Sequence, residues 1–370
     1  MKKWILEKKL RKQLDFSLIV VSLIISIFGS INIYSATHVV SNYKYFTMQI
    51  IYITLSLMIS YIFLLFDYSL IAKFSYILYG VGVILLLYTD IAAKATKGAQ
   101  SWINIFGINI EPGEIIKIGL ILIIAKLIDD MRGNVNNLKN LIKIFIYMCI
   151  PVAFILKEPN YGLAVICICI VFGMLFISGL NIWRILSIML IFIGLCALMW
   201  QFNLLKTYQL TRITSFINPK NSSTDSTFQV DNSILAIGSG GLLGKGFLKS
   251  TQVSGGFIPE ANTDMIFSVV GEEWGIVGAG VLLILYIIML IKILQISKQS
   301  KDILGKLICV GYFSALTFSI YQNIGMTIRR APVAGITLPF MSYGGSSILT
   351  NFIILALILN VGMRRKKINF

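Results

Sequence analysis

The chain has 370 residues, of which 57% are hydrophobic and only 13% charged, and its net charge is +16. So apolar a composition exceeds what a soluble globule can bury, and it also excludes a disordered chain, a coiled coil and a disulfide scaffold. An integral membrane protein remains, and its basic balance reads as Lys and Arg gathered in cytoplasmic loops rather than as a nucleic-acid surface.

Apolar runs near or above 18 residues span a bilayer as helices. Ten are predicted, at about 16–36, 45–66, 69–88, 113–129, 140–157, 162–179, 183–201, 264–294, 305–328 and 337–362. The first is too long for a cleaved signal peptide, and nine more follow it. The expected architecture is an all-α polytopic membrane protein, a single domain over 1–370. A basic tail at 1–15, a basic tail at 363–370 and the loops at 129–140 and 294–305 hold 14 of the 32 basic residues. Ten spans put both ends on one side, and basic ends place that side in the cytoplasm.

Two long connections then fall on the outer side, 89–112 and the larger 202–263. The second is polar and Gly-rich, and a connection of that length is usually functional. Its Gly238-x-Gly240-Gly241-x-x-Gly244-x-Gly246 stretch has a superficial likeness to a phosphate-binding fingerprint but lacks the preceding strand of a dinucleotide fold. It is read as a flexible or tightly turning loop. The five cysteines, Cys149, Cys167, Cys169, Cys196 and Cys309, lie in apolar runs without metal or redox spacing and are read as small core hydrophobes. A lone histidine, His38, builds no metal cluster and is read as an interfacial residue.

Only 16 carboxylates exist. On this topology Asp90, Glu111, Glu114, Glu158, Asp225, Asp231, Glu260 and Asp264 face the outer side. Glu272 and Glu273 fall within the eighth span, where ionisable groups are functional candidates by default. Pro259 stops a preceding helix, Asn262 or Thr263 can cap the next, and Asp264 is then expected in the first turn of the eighth span. A carboxylate there takes a proton from a hydroxyl nucleophile, or simply supplies favourable charge to a helix start. Spacing leaves both readings open. Helical geometry puts Glu272 about 12 Å deeper and roughly on the Asp264 side. A buried ion pair or a hydrogen bond to another helix suits both Glu272 and Glu273. Glu114 and Lys117, behind the helix-starting Pro112, can pair on one face as an interfacial or a functional pair. Lys94, Lys97, Arg212, Lys245, Lys249, Arg329 and Arg330 give the outer side a cationic surface, which suits a pyrophosphate and anionic lipid headgroups alike.

Several stretches together are distinctive. Gly98-Ala99-Gln100-Ser101-Trp102 through Glu111-Pro112-Gly113-Glu114-Ile115-Ile116-Lys117 looks like the pattern "GA-x-R-W … QPSE-x-x-K". Pro259-Glu260, Thr263-Asp264 and Gly271-Glu272-Glu273-Trp274-Gly275 look like "PE-x-H-TDFIF … EE-x-G". With Arg212-Ile213, Phe216-Ile217-Asn218-Pro219, Ala236 to Gly246, and Pro332 to Ser347, the chain resembles the SEDS family (shape, elongation, division and sporulation), which includes RodA, FtsW and SpoVE. Departures are Asn262 for His, Ser101 for Arg, Gly113 for Ser, and Glu158-Pro159-Asn160-Tyr161-Gly162 for "QPDLG", so that Asn160 stands where the family has Asp.

The resemblance implies a peptidoglycan glycosyltransferase that polymerises lipid II on the outer face of the bacterial cytoplasmic membrane, beside a class B penicillin-binding protein. It implies an inverting transfer with an undecaprenyl-pyrophosphate leaving group. Asp264 matches the family's essential acid. Glu114 and Lys117 match its Glu and Lys before the fourth span, and with Arg212, Lys245, Thr263 and Ser342 they are expected to bind substrate. Glu260, Glu272 and Glu273 are expected in support. A divalent cation, Mg or Mn, is compatible with such chemistry, although no ligand cluster in the sequence marks one. The partners expected are lipid II, the transpeptidase and membrane lipid, with no nucleic acid. Two other classes fit the composition: a lipid-linked precursor flippase, which calls for charged groups along a path through the spans, and a non-catalytic scaffold of a cell-wall complex.

Overall fold

The computed structural model describes residues 8–41, 43–92, 102–105, 108–158, 160–188 and 225–365, and 190, 194 and 216 singly. These residues are almost entirely helical. In chain order they form α1 (Lys8–Arg11), α2 (Phe16–Ser41), α3 (Lys44–Leu65), α4 (Tyr68–Lys73) and α5 (Ser75–Ala92). A short antiparallel hairpin follows, β1 (Ile103–Ile105) and β2 (Ile108–Ile110), with Asn104 opposite Asn109. Then come α6 (Pro112–Asp130), α7 (Leu138–Lys157), α8 (Tyr161–Ile177), α9 (Asp225–Gly240), α10 (Ile266–Gln299), α11 (Ile303–Thr327) and α12 (Gly345–Met363).

Nine of the ten predicted spans fall on these helices. Six of them, α2, α3, α7, α10, α11 and α12, are long and apolar enough to cross a membrane, and Ser75–Ile91 and Tyr161–Ile177 are shorter apolar helices. The seventh span, 183–201, begins as helix at 182–188 and then leaves the described residues. Helix α6 lies at the centre, almost wholly buried, as does α12. Around them α5, α7, α10 and α3 present Ile84, Ile142, Ile276, Ile284 and Met58 outward. A ring of exposed aliphatic side chains on helices without exposed backbone donors is what a lipid-facing surface requires.

The structure departs from the sequence reading in several places. The third span is two helices, because the chain turns at Phe66–Asp67, where Asp67 caps α4 by accepting from Ser69 N at 2.9 Å, and again at Phe74 before α5. Within the segment read as a loop, Asp225–Gly240 is the 16-residue helix α9, packed on α10. The tenth span starts at Gly345 rather than near 337, since Pro339 and the left-handed Phe340 (φ 64°) keep 337–344 irregular. Of the cysteines, Cys167 and Cys309 are buried as expected, but Cys149 is exposed on α7; Cys196 lies outside the described residues. His38 keeps its ring against its own helix, with Nδ1 2.7 Å from Ser35 O.

Helix α10 is broken at Gly275, whose φ of 64° and ψ of −161° are not helical. A break leaves backbone groups without helical partners. The glycine stretch after α9 supplies them. Lys245 N and Gly246 N donate to Glu272 O and Glu273 O at 2.9 and 3.0 Å, while Ile276 N and Val277 N donate to Gly241 O and Leu242 O at 3.0 and 3.1 Å. Side chains have no room there. A Cβ on Gly244 would lie 2.1 Å from Glu273 O, and one on Gly275 would lie 2.4 Å from Gly244 N. Of the fingerprint-like glycines, Gly240 and Gly244 therefore serve backbone-to-backbone packing.

Candidate active site

The candidate site is built at one end of the bundle, where the turn before α10, the 328–344 connection and the starts of α6, α8 and α12 converge. Asp264 sits in a hydrogen-bonded turn and not in the first turn of a helix, because α10 begins at Ile266 with Met265 as its cap. Thr263 N and Met265 N both donate to Glu260 O at 3.1 Å. Glu260 itself adopts φ 58°, a conformation that side-chain-bearing residues rarely take. Its carboxylate accepts from Thr263 Oγ1 at 3.1 Å. Neither Asn262 nor Thr263 caps α10. Thr263 faces Glu260, and the Asn262 carbonyl accepts from Tyr343 N at 2.9 Å. Since Asp264 precedes the helix, the helical-wheel relation between Asp264 and Glu272 does not apply.

Three side chains fix that turn. Buried Asn323 of α11 donates through Nδ2 both to Asp264 O (2.8 Å) and to Ile336 O (2.7 Å), joining the acidic turn to the 328–344 connection. Ser342 donates to Thr263 O at 2.7 Å and accepts from Leu338 N at 2.8 Å. Gln229 of α9 donates to Pro259 O at 2.6 Å. Opposite the carboxylate is Gly335, at φ 66°, where a Cβ would come within 3.4 Å of Asp264 Oδ2. A Cβ there would only make van der Waals contact with the carboxylate, and it is the positive φ that favours glycine at this position.

Helix α6 begins at Pro112 and carries Glu114 and Lys117 one turn apart. Their ion pair is 2.6 Å long and almost fully buried. Just before the helix stands Glu111, whose Oε1 accepts from Asn160 Nδ2 at 2.9 Å. Burial pushes the Glu111 carboxyl up to about 8, with the charges of Glu114, Asp264 and Glu158 adding to the rise and Lys117 opposing it. The electrostatic reach of Asp264 at Glu111 joins the two halves of the site. Burial likewise raises Glu158, after α7, to about 7, against the hydrogen bond that Thr89 donates to it.

The other expected residues are placed differently. Ser342, expected to bind substrate, is buried and uses its hydroxyl on two backbone groups, so it holds the Asp264 turn in place. Lys245, also expected to bind substrate, pairs with Glu272 at 2.6 Å. The Glu272 carboxylate also accepts from Thr251 N at 2.8 Å, Gln252 N at 3.0 Å and Thr251 Oγ1 at 3.1 Å. Glu273 accepts from Ser35 of α2. Glu272 and Glu273 thus secure the 245–253 connection and α2, as a buried ion pair and a helix-to-helix hydrogen bond. Arg329 pairs with Asp231 of α9. Arg330 and Lys249 are exposed and have no carboxylate in ion-pair range among the described residues. Arg212, Lys94, Lys97 and Ser101 lie outside the described residues. Asn323 is not singled out by the sequence reading, and Glu111 enters it only among the outer-side carboxylates and in the quoted pattern. A mid-span Asn signals neither of its two distant carbonyl partners, whereas the Glu-Pro pair directly before Glu114 was a usable cue.

Taken together, fold and site define a polytopic helical membrane protein with an acidic, hydrogen-bonded site at one end of its bundle. The family model described as "Cell cycle protein", covering FtsW, RodA and SpoVE, matches residues 15–367. The chain belongs to this family, the SEDS proteins. It is 31% identical over 293 residues to the peptidoglycan glycosyltransferase MrdB of Escherichia coli K12, covering 79% of this chain and 78% of that protein. It is 28% identical over 358 residues to the stage V sporulation protein E of Bacillus subtilis, covering 94% and 96%. Among solved structures it is similar to RodA of Thermus thermophilus, with a TM-score of 0.71 at 26% identity over 96% of this chain and 98% of that one. A chain from work on the coordination of polymerization and crosslinking by a peptidoglycan synthase complex gives a TM-score of 0.81 at 28% identity, covering 95% and 98%.

Proposed function

We propose that the protein is a peptidoglycan glycosyltransferase that polymerises lipid II at the outer face of the cytoplasmic membrane. The observation that carries this reading is Asp264. It is a carboxylate in a turn fixed from three sides, facing Gly335, at the position matching the family's essential acid. In this reading the 4-hydroxyl of an acceptor sugar approaches Asp264, which takes its proton as the oxygen attacks the anomeric carbon of a second lipid II. The anomeric bond to undecaprenyl pyrophosphate breaks, with inversion, and the pyrophosphate departs as an anion. Lys117 offers the nearest buried cation on α6, although Glu114 balances it, and Arg330 and Lys249 offer exposed ones. Among the described residues no three His, Cys, Asp or Glu side chains converge to hold a metal ion.

A class B penicillin-binding protein is the partner inferred, supported by the likeness to a chain of a peptidoglycan synthase complex. The flippase reading calls for charged groups along a path through the bundle. The described carboxylates instead sit within about two turns of helix ends, and Glu272 and Glu273 are already engaged by Lys245 and Ser35.

Purified protein with its cognate penicillin-binding protein and labelled lipid II is expected to make glycan polymer, and Asp264→Asn to make almost none. Equal polymer from both would remove Asp264 from the mechanism. Reporter fusions at Lys367 and within 220–235 test the sidedness. Readouts from opposite sides of the membrane are expected, and a cytoplasmic 220–235 segment would overturn the topology.

A further inference from the structure

Helix ends meet around Glu111. Its N–H donates to Ser346 Oγ, at the start of α12, at 3.0 Å. Its Oε1 accepts from Asn160 Nδ2 at 2.9 Å, while Asn160 Oδ1 caps α8 by accepting from Leu163 N at 3.3 Å. The amide is therefore used in one direction, as donor to Glu111 and as acceptor to its own helix. One hydrogen bond thus ties the start of α6, which carries Glu114 and Lys117, to the start of α8.

The charged groups that face Glu111 are Glu114 and Lys117 from α6, Asp264 from the turn before α10, and Glu158 from the end of α7. From α12 only the uncharged Ser346 reaches it. Glu114 and Lys117 balance one another in their ion pair. Glu111, Asp264 and Glu158 then leave three carboxyls in electrostatic reach of one polar junction. Carboxyls so placed do not all ionise together. If Asp264 is to be the ionised base, the junction has to contribute few further negative charges. Burial and its acidic neighbours favour the protonated form of the Glu111 carboxyl. The exchange E111Q/N160D keeps one hydrogen bond between an amide and a carboxyl at this contact, with the carboxyl on the opposite helix.

We propose that the Glu111–Asn160 pair is a positioning device for the Asp264 reaction, in which carboxyl and amide are interchangeable across the hydrogen bond but two carboxyls are not tolerated. The proposal rests on the glycosyltransferase reading, and it concerns a contact rather than a substrate-touching group.

The test compares wild type, N160D and the exchanged E111Q/N160D, each with its transpeptidase partner and labelled lipid II, across about pH 6 to 8.5, and follows thermal unfolding in detergent at the same pH values. N160D is expected to lose about tenfold or more of the polymerisation rate at pH about 7.5, the scale of coupling between contacting residues, and to regain it towards pH about 6 as the two carboxyls share a proton. E111Q/N160D is expected to recover most of that loss and to lose the added pH dependence. The unfolding temperature at the higher pH should fall in N160D and return in the exchanged variant. An N160D as active as wild type at every pH, or an exchanged variant no better than N160D, would overturn the proposal. If N160D does not fold, the exchanged variant decides alone: polymer supports the pair, and its absence sinks it. A wild type that makes no polymer would sink the glycosyltransferase reading instead, while the unfolding temperatures would still report on the exchange.

Discussion

Two buried acidic regions lie near the same end of this bundle, and they are built in opposite ways. Around Glu272 one carboxylate receives a Lys245 ammonium, two backbone N–H groups within 3.0 Å and a hydroxyl. Around Glu111 and Asp264, carboxyls stand within one another's fields, and the Lys117 ammonium that acts on them is paired with Glu114. The first arrangement is saturated with donors and holds the 245–253 connection onto the broken helix. The second places like charges together. Buried charge with a full set of donors supports a fold, whereas carboxyls crowded within one another's fields have shifted proton affinities, which is where proton transfer is usually found.

That contrast can be broken most directly at Asp264. Asp264→Asn should lower polymerisation by roughly 10²–10⁴-fold, the usual contribution of a general base, with little change in the unfolding temperature. Glu260→Gln should have a smaller effect, because Glu260 shapes the turn mainly through its backbone carbonyl. A rate for Asp264→Asn near that of wild type would make both acidic regions structural.

The opposite pattern is expected at Glu272. Glu272→Leu should destabilise the protein by about 3 kcal/mol, near the low end for a broken buried pair because Lys245 keeps a quarter of its side chain exposed. Thermal unfolding in detergent reads this. The 245–253 connection should then become a site of rapid proteolysis. Lys245→Ala should likewise lower stability rather than raise the apparent KM for lipid II, and a large KM effect with unchanged stability would return Lys245 to the substrate.

A third change sharpens the role of the helix break. Gly275→Ala forces a side chain into left-handed backbone within 2.4 Å of Gly244 N, and should destabilise by roughly 1 kcal/mol or more. Unfolding temperature reads it, and a neutral result would show that the break does not depend on this contact.

A further effect is expected on stability against pH. The Glu111 carboxyl is raised from its ordinary 4.5 to about 8, and Glu158 from 4.5 to about 7. Between those limits the folded protein holds protons that the unfolded chain has lost, so this contribution is present below about pH 4.5 and disappears as pH rises through 7 and 8. Stability should therefore decline towards alkaline pH, and Glu111→Gln should flatten that decline. A stability that rises over the same range would contradict the assignment.

The sequence alone determined the class of molecule, because runs of 18 or more apolar residues have only one environment that accepts them. It also determined most span positions, the helix start at Pro112 with its Glu114–Lys117 pair, and Asp264 as the acid to watch, the last through resemblance. Local patterning carries that information, since each such feature is decided by neighbours within a turn or two. The helix α9, the break at Gly275, the double grip of Asn323 on Asp264 O and Ile336 O, and the transfer of Lys245 and Ser342 to supporting roles were decided only in three dimensions. Each depends on a partner far away in the chain, such as Lys245 with Glu272, Ser342 with Thr263, and Asn160 with Glu111. Which donors the fold brings to Glu272 is set by residues 20 or more positions away, and no periodicity in a single sequence counts them.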